Sequence, residues 1–371
     1  MHDPASSRPA SVVVLFPDDW APYSPTLTRL VERLSEYVDV RVYALHTGRF
    51  PVDELPARIY RQVRVPGWFR SLGLYVLLRP LLLALEARRD ARAAKHVVAV
   101  DAAGAVAAVL LGRRFHYLSL ELAHRWILRP LLRKHACSIL IQSRVRLDYL
   151  VGSTPPEKIP VHLVQNAPCI ATSTIQAAPS SASIGPRLVY MGSITPKHGL
   201  LPMLALIRAW PEATLTLQGA LSNAAAEFID QHAGDLLRER RLLLPRGYVE
   251  DADIGLFLSE FDIGLCLYDL KGSDRNNFNY ISSPSGKMFN YFAAGLPVLA
   301  SAHLGLDPVR EYDAGIQASS LNVACLLEAG KAILAERDRF HAGALHAAQA
   351  FDFRAATAAF VDQLTDLAAC G

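Results

Sequence analysis

Short apolar runs separated by helix-length segments repeat along this chain from one end to the other, and that alternation limits what it can become. Ser11–Phe16 (SVVVLF) reads as a buried strand, Thr26–Tyr37 as an amphipathic helix and Val40–Leu45 (VRVYAL) as a second strand. His96–Val100 leads into a helix over Gly104–Leu111, and Phe115–Leu120, Ile139–Ile141 and Val161–Val164 are further strands. Ala171–Pro186 then breaks the pattern with Ser, Ala and Pro and few large apolar groups, the composition of a linker. Beyond it the alternation restarts: Leu188–Met191, a helix over Leu200–Ala209, Thr214–Leu217, Leu242–Leu244 and Asp262–Tyr268. Such a chain is α/β, with largely parallel sheets covered by helices.

With 371 residues the chain is long enough for two domains of ordinary size. The expected division is an N-terminal domain over residues 1–170, a linker over 171–186, a C-terminal domain over 187–350 and a last helical segment over 351–371. Hydrophobic residues at 51% and charged ones at 20% exclude a largely disordered chain. A net charge of +3, from 38 basic and 35 acidic residues, gives no whole-molecule case for binding nucleic acid. Cys137, Cys169, Cys266, Cys325 and Cys370 are scattered, without C-x-x-C pairs or clustered histidines, so they read as reduced thiols and no metal site is expected. The opening MHDPASSRPA lacks the apolar core of a signal peptide, and Leu72–Leu85, the most apolar region, is broken by Arg79-Pro80. The expected location is the cytoplasm. No strand is followed by G-x-G-x-x-G, which argues against a dinucleotide dehydrogenase.

The densest chemistry lies in Ser283–Ser301, SPSGKMFNYFAAGLPVLAS. Ser283, Pro284, Ser285 and Gly286 form a small-residue turn into a helix start. Lys287–Ala294 follows as the helix, with Met288, Tyr291 and Phe292 spaced to share a buried stripe. Gly295 and Pro297 end it, and Val298–Ala300 reads as a buried strand. Unpaired N–H groups at the helix start beside the Lys287 ammonium suit a phosphate or diphosphate.

Lys287–Val298 resembles the donor-site helix of GT-B glycosyltransferases of the family 4-like group, roughly P-x-K-x-x-E-Y-x-A-x-G-x-P-V. Leu188–Gly199 (LVYMGSITPKHG) resembles the strand, glycine turn and lysine that open the donor-binding domain of the same family. The resemblance implies two Rossmann-like domains facing across a cleft, with a C-terminal helix crossing back to the first. It also implies transfer of a sugar from a nucleotide-sugar donor to a hydroxyl acceptor, often lipid-linked, with retention of configuration and without a metal. On the donor side it implies Gly192, Ser193, Lys197, Ser285, Gly286 and Lys287 around the diphosphate. Ser193 stands where the family usually has Arg, and Ser282 and Asn290 stand where it often has a pair of acids. An amide at Asn290 still orients a ribose through neutral hydrogen bonds worth roughly 1 kcal/mol each.

Other positions carry two readings. Lys197 is a diphosphate ligand or a solvated lysine beside a turn. Arg246-Gly247-Tyr248-Val249 resembles the turn whose backbone reads the nucleobase, or is a plain strand end. Asp274–Tyr280 (DRNNFNY), with Asn279 the preferred contact, suits sugar recognition or is a surface loop. In the N-terminal half, Glu121 and His124 follow a strand, and Asp101 follows another. Ligands lie at the carboxyl ends of strands in open α/β sheets. Glu121 there is a general base or a stabiliser of a cationic sugar, or an acid placed at a helix N-terminus by the helix dipole. Arg125–Lys134 (RWILRPLLRK), with Leu72–Arg92, forms a basic and apolar surface suited to an anionic membrane, or a core-facing helix with solvated arginines. Two rival functions remain: an inactive sugar-nucleotide-binding relative acting as a scaffold, motivated by Ser193, Ser282 and Asn290, and a sugar-nucleotide epimerase.

Overall fold

The computed structural model describes residues 12–46, 59–65, 75–152, 159–170, 185–245, 247, 249–271 and 277–365. The N-terminal tail, most of the expected linker, Arg246, Tyr248 and Asp274–Asn276 lie outside the described residues. The chain divides into two compact units, Met1–Gln165 with Phe353–Gly371, and Asn166–Asp352.

The first unit is built on a parallel sheet of seven strands: β1 (Val12–Phe16), β2 (Val40–His46), β3 (Ile59–Arg64), β4 (His96–Val100), β5 (Phe115–Leu118), β6 (Ala136–Ile141) and β7 (Val161–Leu163). Their spatial order is β3-β2-β1-β4-β5-β6-β7. Successive side chains of a strand face opposite sides, and the core follows that rule. Val13, Leu15, Ala99, Tyr117 and Ile139 pack against Leu83, Ala87, Ala105, Leu128 and Leu132 from the helices on one face. Val12, Val14, Phe16, Val98 and Val100 pack against Leu27, Leu30 and Leu34 on the other, where Phe353, Phe360, Val361 and Leu364 join them. The helix Phe353–Thr365 therefore completes this core from the far end of the chain.

The second unit repeats the plan with β8 (Arg187–Met191), β9 (Thr214–Gln218), β10 (Leu242–Leu243), β11 (Ile263–Cys266), β12 (Val298–Ser301) and β13 (Gly315–Ala318). The order is β10-β9-β8-β11-β12-β13, again parallel throughout. In each unit the order reverses beside the first strand, between β1 and β4 and between β8 and β11. A crevice at the carboxyl ends opens at such a reversal.

Some boundaries move, for physical reasons. Expected to run to Leu120, β5 stops at Leu118, because the N–H groups of Leu120 and Glu121 turn to the Asp101 carboxylate. Expected over Asp262–Tyr268, β11 is shorter at both ends. The Asp262 carboxylate accepts from the Arg187 N–H and pairs with Arg337, while the Tyr268 N–H donates to Ser301 Oγ. Two strands were not anticipated: β3 (IYRQVR) is largely polar, and β13 (GIQA) is short and half small residues. Arg125–His135 is a helix that buries Leu128 and Leu132 while Trp126 stays 74% exposed. It begins past Glu121, so the helix dipole does not account for that acid. Among the described residues no helix is long and apolar enough to cross a membrane.

Candidate functional site

The helix expected from Lys287 starts at Gly286 and runs to Ala293. Met288, Tyr291 and Phe292 are buried as their spacing requires, and Phe289 joins them. This packing fixes the helix against the β8–β11 crevice. The Tyr291 ring packs against Gly264 of β11, where any side chain would overlap it. The Tyr291 hydroxyl accepts from the Met191 N–H at 3.0 Å, tying the helix to the last residue of β8.

Gly192 follows Met191 with φ +131°, a conformation open to glycine and strained for other residues. Its N–H donates to the Gln218 carbonyl at 2.8 Å, and a Cβ on the neighbouring Gly219 would strike the Gly192 carbonyl. The ends of β8 and β9 thus meet backbone to backbone. Ser193 is exposed, and its carbonyl accepts from the Tyr190 hydroxyl at 2.8 Å and from His198 Nδ1 at 2.6 Å. A carbonyl only accepts, so His198 carries its proton on Nδ1. Burial, then the nearby Lys287 and Lys197 charges, push His198 down to about 4, leaving it neutral at ordinary pH.

Lys287 reaches into the same crevice. Its ammonium donates to Tyr268 Oη at 3.2 Å and Ser285 Oγ at 3.4 Å, and the Tyr268 hydroxyl donates to Ser285 Oγ at 2.9 Å. The Tyr190 and Tyr268 rings flank it, with centroids 4.8 and 5.0 Å away. A Cβ on Gly192 would lie 4.0 Å from Nζ. No carboxylate pairs with Lys287 among the described residues. Burial works against charge there, but the surrounding tyrosines outweigh it and hold the ammonium above its usual value. Burial also pushes the Tyr190 phenol up to about 12, although the Lys287 charge pulls it down. Ser285 is the N-cap residue of the helix, yet its side chain makes no capping bond because it is committed to Tyr268 and Lys287. The result is a half-buried cation at an uncapped helix start, an arrangement that attracts an anion.

The remaining expected donor residues are less tightly grouped. Lys197 lies on the 3-10 turn Pro196–His198, with its ammonium 4.3 Å from the centroid of the Tyr280 ring. Gly286 packs against the Asn166 side chain. Asn290 is half-buried on the Lys287 helix, one turn further on. Gly247 has φ +93° and its carbonyl accepts from Gln218 Nε2 at 2.7 Å, which joins that turn to the end of β9. Val249 follows it, and Tyr248 lies outside the described residues. Asn279 sits on the short helix Phe278–Ser282, and its N–H donates to Asn277 Oδ1.

In the first unit, Asp101 opens the helix Asp101–Leu110 directly after β4 with φ +52°. One carboxylate oxygen accepts from the Leu120 N–H at 2.8 Å and the Glu121 N–H at 2.9 Å. Burial pushes Asp101 up to about 7 against those two hydrogen bonds. Glu121 is exposed, and His124, at φ +54°, precedes the helix Arg125–His135. Fully buried Arg146 donates to the Leu120 carbonyl at 2.9 Å and senses both Glu121 and Asp101. Asp101, Glu121 and Arg146 therefore meet at the carboxyl end of β5.

Four of these side chains escape a motif search. Tyr190 and Tyr268 look like ordinary strand residues, His198 follows a better candidate, and Arg146 sits in an unremarkable helix. The Tyr190–Ser193 and Lys197–Gly199 spacings are the signals that single out the turn.

No protein-family model and no curated protein matches the chain. Solved structures do match over nearly its whole length. HepE from Anabaena, crystallised in complex with UDP, aligns at 15% identity with a TM-score of 0.70, covering 96% of this chain and 100% of that one. Sucrose-phosphate synthase from Thermosynechococcus elongatus aligns at 15% identity and a TM-score of 0.68, over 97% and 99%. A putative UDP-N-acetylglucosamine 2-epimerase from Listeria monocytogenes aligns at 14% and 0.60, over 95% of each. The chain shares with them the fold of two Rossmann-like units expected from its resemblance to GT-B proteins.

Proposed function

We propose that this protein is a glycosyltransferase that takes its sugar from a nucleotide diphosphate donor held in the second unit. The observation that carries the reading is the Lys287 ammonium, enclosed by Tyr190, Tyr268 and Ser285 at a helix start with no carboxylate among the described residues to neutralise it. A diphosphate supplies the missing charge and accepts from both the ammonium and the free helix N–H groups.

In the reaction the bond from the sugar's anomeric carbon to the diphosphate oxygen breaks, and its electron pair stays on that oxygen. Lys287 and the amides of Gly286 and Lys287 stabilise the developing charge. Lys197, next to His198, is a second source of positive charge. The acceptor hydroxyl forms the new bond to the anomeric carbon and releases its proton to a base. The first unit offers Glu121, Asp101 and His124 at the carboxyl ends of its strands for that role. We assign the acceptor to the lipid-linked glycans or polysaccharide precursors, with a cytoplasmic location at the membrane face and retention of configuration, on the motif resemblance.

The test is a thermal-shift panel of UDP-, GDP-, ADP- and CMP-sugars. A ligand at a hundred times its Kd stabilises by about 2.7 kcal/mol, so one nucleotide class raises Tm clearly. No shift with any of them removes the reading. The likeness to the Listeria protein favours one alternative, a sugar-nucleotide epimerase. An epimerase changes its donor without any acceptor, whereas a transferase adds the sugar to a second molecule.

A further inference from the structure

His198 is more buried than its neighbour Lys197 and keeps different company. The 3-10 turn Pro196–His198 is docked on the segment that leaves β11. The Lys197 carbonyl accepts from the Asp269 N–H at 2.9 Å, and a Cβ on Gly199 would strike Leu267. From this turn the two side chains part. Lys197 is exposed, with its ammonium over the Tyr280 ring, whereas the half-buried His198 ring meets the Tyr268 ring edge-on, 5.5 Å between centroids. The hydroxyl of that tyrosine accepts from the Lys287 ammonium. His198 and Lys287 are thus neighbours of one phenol.

One nitrogen of the His198 ring is already committed. Nδ1–H donates to the Ser193 carbonyl at 2.6 Å and lies 3.1 Å from Thr195 Oγ1, which fixes the tautomer and leaves the Nε2 lone pair to take a proton. The groups around the ring are cationic or neutral. Lys197 precedes it on the turn, Lys287 comes from the helix Gly286–Ala293, and Tyr268 follows β11. Tyr190, from β8, donates to the same Ser193 carbonyl. Asp269 is the acid next to Tyr268, and its carboxylate pairs with Lys271 at 2.9 Å. Among the described residues no carboxylate forms an ion pair with His198. Burial and the two ammonium charges therefore keep the ring neutral. A diphosphate beside Lys287 reverses that balance, because its negative charge favours the imidazolium.

We propose that His198 is a proton-linked ligand of the donor diphosphate: Nε2 takes a proton from solvent as the anion binds, and the new N–H donates to a phosphate oxygen. The inference rests on the second unit being a diphosphate site, and adds that this site takes up its anion together with a proton. Nδ1–H stays on Ser193 throughout, so the charge changes without the turn letting go. A lysine here would carry its charge at every ordinary pH, whereas histidine makes affinity fall as pH rises. With the linkage complete, the loss is about tenfold for each pH unit between the free and the bound pKa.

The experiment is calorimetric titration of inorganic pyrophosphate into the full chain at about pH 6, where an ordinary imidazole titrates. It is run in MES and in bis-tris, whose heats of ionisation differ, so that the difference counts protons taken up. Pyrophosphate changes its own protonation, and the native protein is therefore compared with His198→Asn, whose amide keeps a donor for the Ser193 carbonyl and does not titrate. The native protein takes up about one proton more than this variant. His198→Lys shows no such excess and binds about tenfold more tightly than the native protein at pH 8, where protons are scarce. Thermal melts show which variants are folded. NMR needs no variant: the His198 Cε1–H signal, assigned through its backbone, stays neutral to about pH 5 in the free protein and titrates at about 6.5 or above with pyrophosphate. Equal proton uptake in native protein and folded variants, or a His198 signal that stays neutral in the complex, would overturn the proposal and leave the diphosphate site standing. No binding of pyrophosphate to the native protein would remove both.

Discussion

The Lys287 ammonium lies 4.0 Å from the point a Cβ on Gly192 would occupy, so two motifs distant in sequence close on one another at the β8–β11 crevice. Gly192→Ala therefore has two costs. The methyl group would meet Lys287 Cε at 3.4 Å, and φ +131° is strained for alanine. Strain of this type costs about 1–3 kcal/mol. A denaturant titration is expected to show that loss, and calorimetry to show donor affinity down about tenfold. A variant equal to the native protein in both would place Lys287 elsewhere.

Tyr291→Phe probes how the donor helix is held. The change removes the acceptor of the Met191 N–H and leaves that group without its partner at the end of β8. An orphaned buried donor costs about 1–3 kcal/mol. Urea unfolding should show a loss in that range, with the slope unchanged.

The Asp101 carboxyl, pushed up to about 7 by burial, is a carboxyl whose folded state holds its proton more tightly than the unfolded chain does. Keeping it ionised therefore costs stability increasingly as pH rises from about 4 toward 7. Asp101→Asn keeps an oxygen acceptor for Leu120 and Glu121 without the charge. It should gain stability relative to the native protein at pH 8 and lose that advantage at pH 5. Asp101→Ala removes the acceptor and should be less stable at both.

Three histidines in the first unit predict the opposite slope. His116 Nδ1 contacts Ser138 Oγ at 2.8 Å and its Nε2 lies 3.3 Å from His96 Nδ1, while His116 and His162 both pack on Phe360. Burial pushes His116 down to about 3 and holds His96 and His162 below their usual value. The unfolded chain then binds more protons, so stability falls as pH drops from about 6.5 toward 3. Chemical unfolding at pH 7 and pH 5 is expected to show the drop, and His116→Gln to reduce it. A flat profile would contradict the burial of these imidazoles.

The strands were legible where both faces are buried. VVVLF and VVAV are apolar throughout because helices cover both sides of a parallel sheet, and such runs are too short for a buried helix. At β3 and β13 the polar and small residues hid strands that pairing with β2 and β12 creates. Lys287 and Gly192 were legible from spacing, since a glycine turn and a lysine after a helix start are local chemistry. The tyrosine box was not. Tyr190 lies on β8 and Tyr268 two residues past the end of β11, and only the adjacency of those two strands brings them to one ammonium. Asp101 could be placed at a strand end, but its grip on Leu120 and Glu121 depends on the pairing of β4 with β5.

The most direct test of the second unit as a diphosphate site is calorimetric titration of the nucleotide sugar selected by the thermal-shift panel into the native protein and Lys287→Met. Methionine keeps the length and packing of the side chain and removes its charge. Loss of an interaction worth on the order of 3 kcal/mol corresponds to about a hundredfold in affinity. The expected result is that weakening, in a variant whose thermal melt shows that it is folded. Native affinity in a folded Lys287→Met variant would contradict the account.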